Sequence, residues 1–194
     1  MTTNSSEWMP RSRWDALVRG EGCSLCAELA SDEHQTPDGY KIADLGRSRL
    51  RLAANQWVPG YCLLVCTKHV REPYELSRDE RLVFFEDMMR AAQALERVFN
   101  PVKMNFEILG NSVPHLHCHL TPRYYDDPAP GRPIHQNADY LYLTSGEYER
   151  RIGWIRDALT FGGEVHFNQR NQTVLSSGDG TVVSAGDQAS QDPG

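Results

Sequence analysis

Three histidines at every second position, in His115-Leu116-His117-Cys118-His119-Leu120, are the residues of this chain best suited to chemistry. Side chains on a β-strand alternate between its two faces. His115, His117 and His119 would then share one face, with Leu116, Cys118 and Leu120 directed into a core. Imidazoles crowded on one surface repel one another when protonated. The arrangement favours neutral rings near pH 7, suited to metal binding or to proton and phosphoryl chemistry. Only seven histidines occur in 194 residues, so strict alternation of three is hard to reach by chance. A second cluster is Gly22-Cys23-Ser24-Leu25-Cys26. Its C-x-x-C spacing lets two thiolates grip one tetrahedral zinc, which then needs two more ligands; it is also a redox spacing.

The elements around these residues read as one compact domain. Trp14 to Val18 and Leu25 to Ala30 resemble short helical pieces, and Tyr40 to Asp44 and Ser48 to Ala53 two strands around a turn at Gly46. Pro59-Gly60 leads into the apolar run Tyr61 to Cys66, bounded by turn signals as a buried strand is. Cys62 and Cys66 would face the same way and, like Cys118, serve as small core residues. Ser77-Arg78-Asp79-Glu80 is a capping box, followed by Leu82, Phe85, Met89, Ala92, Leu95 and Phe99 at helical spacing, with Asn100-Pro101 as the stop. Val102 to Leu109 and His115 to Thr121 read as strands around a turn at Gly110-Asn111. A last helix runs from about Gly146 to Leu159. The order predicts an α+β fold with a mostly antiparallel sheet, one long helix and shorter flanking helices.

Composition narrows the function classes. A net charge of -6 argues against a broad basic face, so a nucleic-acid partner is disfavoured, although a local positive pocket for phosphate is not. No apolar run approaches a membrane span, and Met1 to Pro10 lacks the apolar stretch of a secretory signal, so the expected location is the cytoplasm. Five cysteines, an odd number at uneven spacing, argue against a disulfide framework. Residues 1–10 read as a flexible lead, 11–160 as the domain, and 161–194 as a disordered tail rich in Gly, Ser, Gln, Asp and Asn.

The segment His115 to Thr121 resembles the signature of the histidine-triad (HIT) family, His-φ-His-φ-His-φ-φ with φ apolar; Thr121 departs at the last position. Gly110-Asn111-Ser112-Val113 is similar to the turn that approaches it, with Asn111 where Gln is usual. Pro59-Gly60, a strand and Lys68-His69-Val70 resemble the family's middle section. The likeness spans roughly residues 20–128. It implies a HIT-like fold and a nucleotide hydrolase or nucleotidyltransferase. His117 would attack an α-phosphate and form a nucleotidyl-imidazole. His119 would contact the non-bridging oxygens or the leaving group. Asn111 and Ser112 would hold the phosphate, Asn105 the phosphate or sugar, and Asn55 the ribose, although its spacing to Pro59-Gly60 departs from the pattern.

The zinc-bearing branch of the family further implies Cys23, Cys26, His69 and His115 as ligands. A closed four-ligand shell would make that zinc structural, tying the N-terminal segment to the strand of His117. Expected substrates are a dinucleoside polyphosphate, a nucleoside phosphoramidate or a related conjugate. Transfer to a phosphate or other acceptor is the alternative. Related uridylyltransferases carry His-Pro-His where this chain has His115-Leu116-His117, which tilts the expectation toward hydrolysis. A regulatory nucleotide-binding protein with vestigial activity would be expected to lack His117. Dimer formation is common in the family, so a homodimer is a further expectation.

Other residues are read more plainly. His34, His135 and His166 are expected in solvent, as are Arg150, Arg151 and Arg156 on the last helix; Trp154 should pack that helix on the domain. Arg123 could approach an anionic substrate or pair with Asp126 or Asp127. Tyr124 and Tyr125 could stack on a base, but packing is the commoner use.

Overall fold

The computed structural model describes residues 8–133 and 140–160, with the backbone of two short strands at 165–168 and 172–175. Two short helices come first, α1 (Arg11–Val18) and α2 (Ser24–Ser31). The strands β1 (Gln35–Thr36), β2 (Gly39–Asp44), β3 (Ser48–Ala53) and β4 (Cys62–Cys66) follow. The long helix α3 (Arg78–Phe99), β5 (Lys103–Glu107), β6 (His117–Arg123) and α4 (Ser145–Thr160) complete the domain. The sheet order is β1-β2-β3-β4-β6-β5 and every neighbouring pair is antiparallel. This is the α+β architecture expected. Among the described residues no helix is long and apolar enough to cross a membrane.

Register divides the sheet into two chemically different faces. Leu52 pairs with Cys62, which pairs with Leu120; Leu50 pairs with Leu64, which pairs with Cys118. These residues belong to the core built with Phe84, Leu95, Val98, Ile152 and Ile155 from α3 and α4. Cys62, Cys66 and Cys118 are all fully buried, as their small apolar reading requires. The intervening residues form the opposite face: Arg51 pairs with Leu63 and Leu63 with His119, while Arg49 pairs with Val65 and Val65 with His117. Strand alternation thus assigns the histidines and the helical core to opposite sides of one sheet.

The capping box of α3 is formed: the Glu80 amide donates to Ser77 Oγ (3.3 Å) and the Ser77 amide to Glu80 Oε2 (3.0 Å). Asn100 ends the helix in the left-handed conformation, φ 47°. The buried stripe holds Ala92, Leu95 and Phe99 as expected but is rotated in the first half of the helix. Phe84, Met88, Ala91, Leu95 and Val98 face the sheet, while Leu82, Phe85 and Met89 stay exposed. Apolar residues cover more than one side of this helix, and contact with the sheet selects among them. Asp87 is buried because it accepts the Gly46 and Arg47 amides (3.1 and 2.7 Å) and the Ser48 hydroxyl (2.7 Å), closing the β2–β3 turn. Gly60 has φ +78°, and a Cβ there would lie 2.6 Å from the Phe99 ring, so the turn into β4 requires glycine.

One charged residue of α4 departs from the sequence reading: Arg151 is half-buried and donates to Gln56 Oε1 (3.0 Å). Arg156 is exposed as expected, although it also donates to the Ile42 carbonyl (2.7 Å). Arg123 is buried and pairs with Asp127 and the Ala129 carbonyl. His34 is exposed and meets Glu149 (2.9 Å). Tyr124 packs on the core and Tyr125 is exposed. Trp154 packs against the core as expected. In the expected tail, Val165–Asn168 and Gln172–Leu175 pair as an antiparallel ribbon; the rest of 161–194, with His135 and the His166 side chain, lies outside the described residues.

Candidate active site and metal centre

Helix α2 brings the N-terminal cluster to the histidine face. It is held there by two arginines of β3 that the sequence reading did not single out. Arg49 Nη1 donates to the Glu28 and Leu29 carbonyls (3.3 Å each), and the same guanidinium pairs with Asp44 (2.6 Å) and Asp32 (2.8 Å). Arg51 pairs with Glu28, both buried, and donates to Thr36 Oγ1 (2.8 Å) and the Gly39 carbonyl (2.7 Å). Burial raises the Glu28 carboxyl and lowers the Arg51 guanidinium, each against the pull of its partner. A buried pair of this kind fixes geometry more than it adds stability.

Cys23, the residue capping α2, and Cys26, one turn on, meet His69 and His115. One ligand atom from each lies within 4.8 Å of all the others. His115 Nδ1 is 3.5 Å from Cys23 Sγ, 3.4 Å from Cys26 Sγ and 3.2 Å from His69 Nδ1; Cys26 Sγ is 3.2 Å from His69 Nδ1. A tetrahedral ion with metal–sulfur bonds of ~2.3 Å and metal–nitrogen bonds of ~2.05 Å needs S···N gaps of about 3.5 Å and N···N gaps of about 3.3 Å. The four side chains therefore fit such an ion. Both rings are oriented by their other nitrogen: His115 Nε2 donates to the Cys66 carbonyl (2.7 Å) and His69 Nε2 to the Val18 carbonyl (3.1 Å). Each Nδ1 is left with its lone pair, as a ligand requires. Burial, then the neighbouring Cys23, pushes the Cys26 thiol up to about 11. The thiolate form needs a cation beside it.

Strand β6 begins at His117, not at His115 as expected. His115 occupies the preceding bend, its amide bonded to the Val113 carbonyl (2.8 Å), because its ring must reach the cysteines. The triad is split accordingly. His115 belongs to the metal cluster, while His117 and His119 stand with ring centroids 5.0 Å apart. His117 Nδ1 donates to the His115 carbonyl (2.6 Å). A carbonyl only accepts, so Nδ1 carries the proton and Nε2 the lone pair. Burial lowers the basicity of His117 and keeps the ring neutral. Burial, then His117, pushes His119 down to about 4. Tyr61, two strand residues before Leu63, is hydrogen-bonded to His119 Nδ1 (2.5 Å) with its ring nearly coplanar in orientation, 2° apart.

A cleft of 390 Å3 opens beside His117. Its walls include Leu63 and Tyr61 from the sheet, Ser24 and Leu25 from α2, and Asp38, Asn55, Tyr140 and Tyr142 from loops. Asn55 reaches the cleft, but its Oδ1 already accepts the Trp57 amide (3.1 Å) and the Leu141 amide (3.0 Å). Asn111 and Ser112 are exposed on the bend before His115 and do not line this cleft, although Val113 beside them does. Asn105 pairs with Thr121 on β5, and Glu107 pairs with His119 two residues on. Asp38, Tyr61, Tyr140 and Tyr142 escaped the sequence reading. Pro37-Asp38-Gly39 reads only as a turn, and scattered tyrosines carry no spacing signal.

A family model described as HIT domain matches residues 36–126. Over those residues the chain carries a HIT domain. It is similar to "Protein hit" of Bacillus subtilis, 28% identical over 109 residues, covering 54% of this chain and 72% of that one. A crystal structure of a histidine triad protein from Bradyrhizobium japonicum superposes with a TM-score of 0.61 at 25% identity, covering 71% of this chain and 98% of the other. The fold is shared with a zinc-bound histidine triad family protein from Mycobacterium smegmatis, with a TM-score of 0.51, 19% identity and 71% and 93% of the two chains covered. The HIT domain contributes His117, His119, His69 and His115, whereas Cys23, Cys26, Tyr140 and Tyr142 lie outside the matched residues.

Proposed function

We propose that this protein is a nucleotide hydrolase working at an α-phosphate through a covalent bond to His117. The observation that carries the reading is the neutral His117 ring with Nδ1 committed to the His115 carbonyl and the ring lining a cleft. The Nε2 lone pair attacks phosphorus, and the bond from phosphorus to the leaving oxygen or nitrogen breaks with its electron pair. His119, beside His117, contacts the phosphoryl oxygens or leaving group, and its bond to Tyr61 fixes the ring's orientation. Water then attacks the phosphorus, releases the nucleoside monophosphate and restores neutral His117. Asp38 is an acceptor for sugar hydroxyls, a role better suited to it than to Asn55 with its engaged oxygen. Asn105, Asn111 and Ser112 remain assigned to the phosphate side.

Cys23, Cys26, His69 and His115 hold zinc in this reading, four protein ligands leaving no open position for substrate. The partner is the nucleotide. A second copy of the chain is the protein partner, since α3 leaves Leu82, Phe85 and Met89 exposed.

Incubation with diadenosine tetraphosphate and with adenosine phosphoramidate should release AMP from at least one of them. If neither is cleaved while AMP still binds, the protein is a nucleotide-binding regulator and the hydrolase reading fails.

His119 also makes stability depend on pH. In an unfolded chain it titrates near ~6.5, and in the folded protein near about 4. Unfolding takes up a proton between those values. The contribution is complete above the upper one and is lost as pH falls toward the lower. The urea midpoint should therefore fall on acidification through this window, and His119→Gln should flatten the fall. An unchanged slope in that variant would remove His119 from the account.

A further inference from the structure

Tyr140 and Tyr142 line the cleft from a segment beyond the residues that match the HIT domain. The segment is pinned between them. The Leu141 amide donates to Asn55 Oδ1 (3.0 Å) and the Leu141 carbonyl accepts the Gln56 amide (2.8 Å). Gln56 is itself fully buried, its Nε2 donating to the Ala53 and Tyr61 carbonyls (2.9 and 3.0 Å) and its Oε1 accepting from Gly60 and Arg151 (3.0 Å each). One residue past Tyr142, the Leu143 amide donates to the Tyr148 hydroxyl (3.2 Å), which in turn donates to the Ala54 carbonyl. Asn55, expected at the ribose, acts here as a latch for this strap.

The latch leaves two large rings in solvent. Tyr140 and Tyr142 are 61% and 64% exposed, whereas Tyr40, Tyr61 and Tyr148 are buried. Their planes lie within 16° of parallel and their centroids are 6.3 Å apart. Facing carbons pack at about 3.5 Å, so a ring held between two others needs about 7 Å; at 6.3 Å the pair stands side by side and offers an exposed ring face to a flat ligand. Leu25, Leu63 and Val113 supply the apolar remainder of the cleft, and His117 supplies its reactive end. A ligand matched to these walls has a planar aromatic part and a phosphoryl part.

We propose that the Tyr140–Tyr142 strap is the nucleobase wall of the cleft, stacking on the base of the nucleotide whose α-phosphate meets His117. The proposal rests on the nucleotide reading above and adds where, and by what chemistry, the base is held. Stacking uses the ring faces, so phenylalanine should substitute for tyrosine at both positions. A polar phosphate or sugar contact does not predict that.

The test is titration with AMP and with ribose 5-phosphate, which lacks the base, on the full chain. Replacing both residues together, Tyr140→Ala with Tyr142→Ala, should weaken AMP binding by about tenfold or more and leave ribose 5-phosphate unchanged. Tyr140→Phe with Tyr142→Phe should restore AMP binding. Both rings are exposed, so thermal melting of either double variant should match the wild type. AMP affinity within about twofold of wild type in the alanine variant overturns the proposal and leaves the hydrolase reading intact. A phenylalanine variant as weak as the alanine one also overturns it, by assigning the effect to the hydroxyls. Absence of AMP binding to the wild-type protein overturns the nucleotide reading and the base wall with it.

Discussion

Replacing His117 with alanine is expected to lower mononucleotide release by roughly a thousandfold or more, while AMP binds nearly as before. The ring is held by its own backbone: Nδ1 bonds to the carbonyl of His115, two residues back, and β6 is fixed by pairing of His117 with Val65. Alanine preserves that pairing and removes only the imidazole. A water molecule in the space could not replace it, because the scheme needs a nitrogen lone pair that bonds to phosphorus and leaves it again. His119, pushed down to about 4, is bonded to the Tyr61 hydroxyl and is not positioned by the same carbonyl.

The residue is also only 8% exposed, so the variant loses some packing, and melting must be recorded beside activity. Acid quenching at low pH destroys phosphorus–nitrogen bonds. The labelled covalent adduct should therefore be sought after alkaline quenching, and should be present in wild type and absent in the variant. Turnover by His117→Ala at the wild-type rate would end the covalent scheme.

Much of this arrangement could be read from short-range signals. Ser77 and Glu80 state the start of α3 because a capping box is a local contact. The alternation around His117 states which residues face α3 and α4, because strand geometry has period two. Long-range choices were less legible. Arg49 and Arg51 look like solvent charges until α2 folds over them with Glu28, Asp32 and two carbonyls as partners. Arg151 is similar, expected in solvent by composition but half-buried and bonded to Gln56 beneath it. The apolar positions of α3 offered more than one stripe, and only the sheet decides that Phe84 and Met88 go inward while Phe85 and Met89 do not. His115 shows the same limit. Its place in the triad suggests a strand residue, but its ring is claimed by cysteines 89 and 92 positions away, and the chain bends to deliver it.

That dual use of His115 leads to the second large effect. Cys26→Ser, or chelation of the purified protein, should lower thermal stability and weaken nucleotide binding together. One ion per chain should be present beforehand and lost afterwards. In small zinc domains binding contributes on the order of 10 kcal/mol to folding. The effect here should be smaller, because the α3–α4 core persists without the cluster, but it should be a large part of a typical stability of about 5–15 kcal/mol. The loss of binding follows from connectivity. Ser24 and Leu25 lie between the two cysteine ligands and form part of the cleft wall, and the carbonyl of the ligand His115 orients His117. Freed of the ion, α2 keeps Arg49 and Arg51 as anchors but loses its tie to the bend before β6. The half-buried Cys26 thiol, at about 11, then holds its proton and has no charge with which to draw the histidines in. A protein purified without metal that melts at the same temperature and binds AMP as tightly as the metal-loaded form would show that these four side chains meet for some other reason.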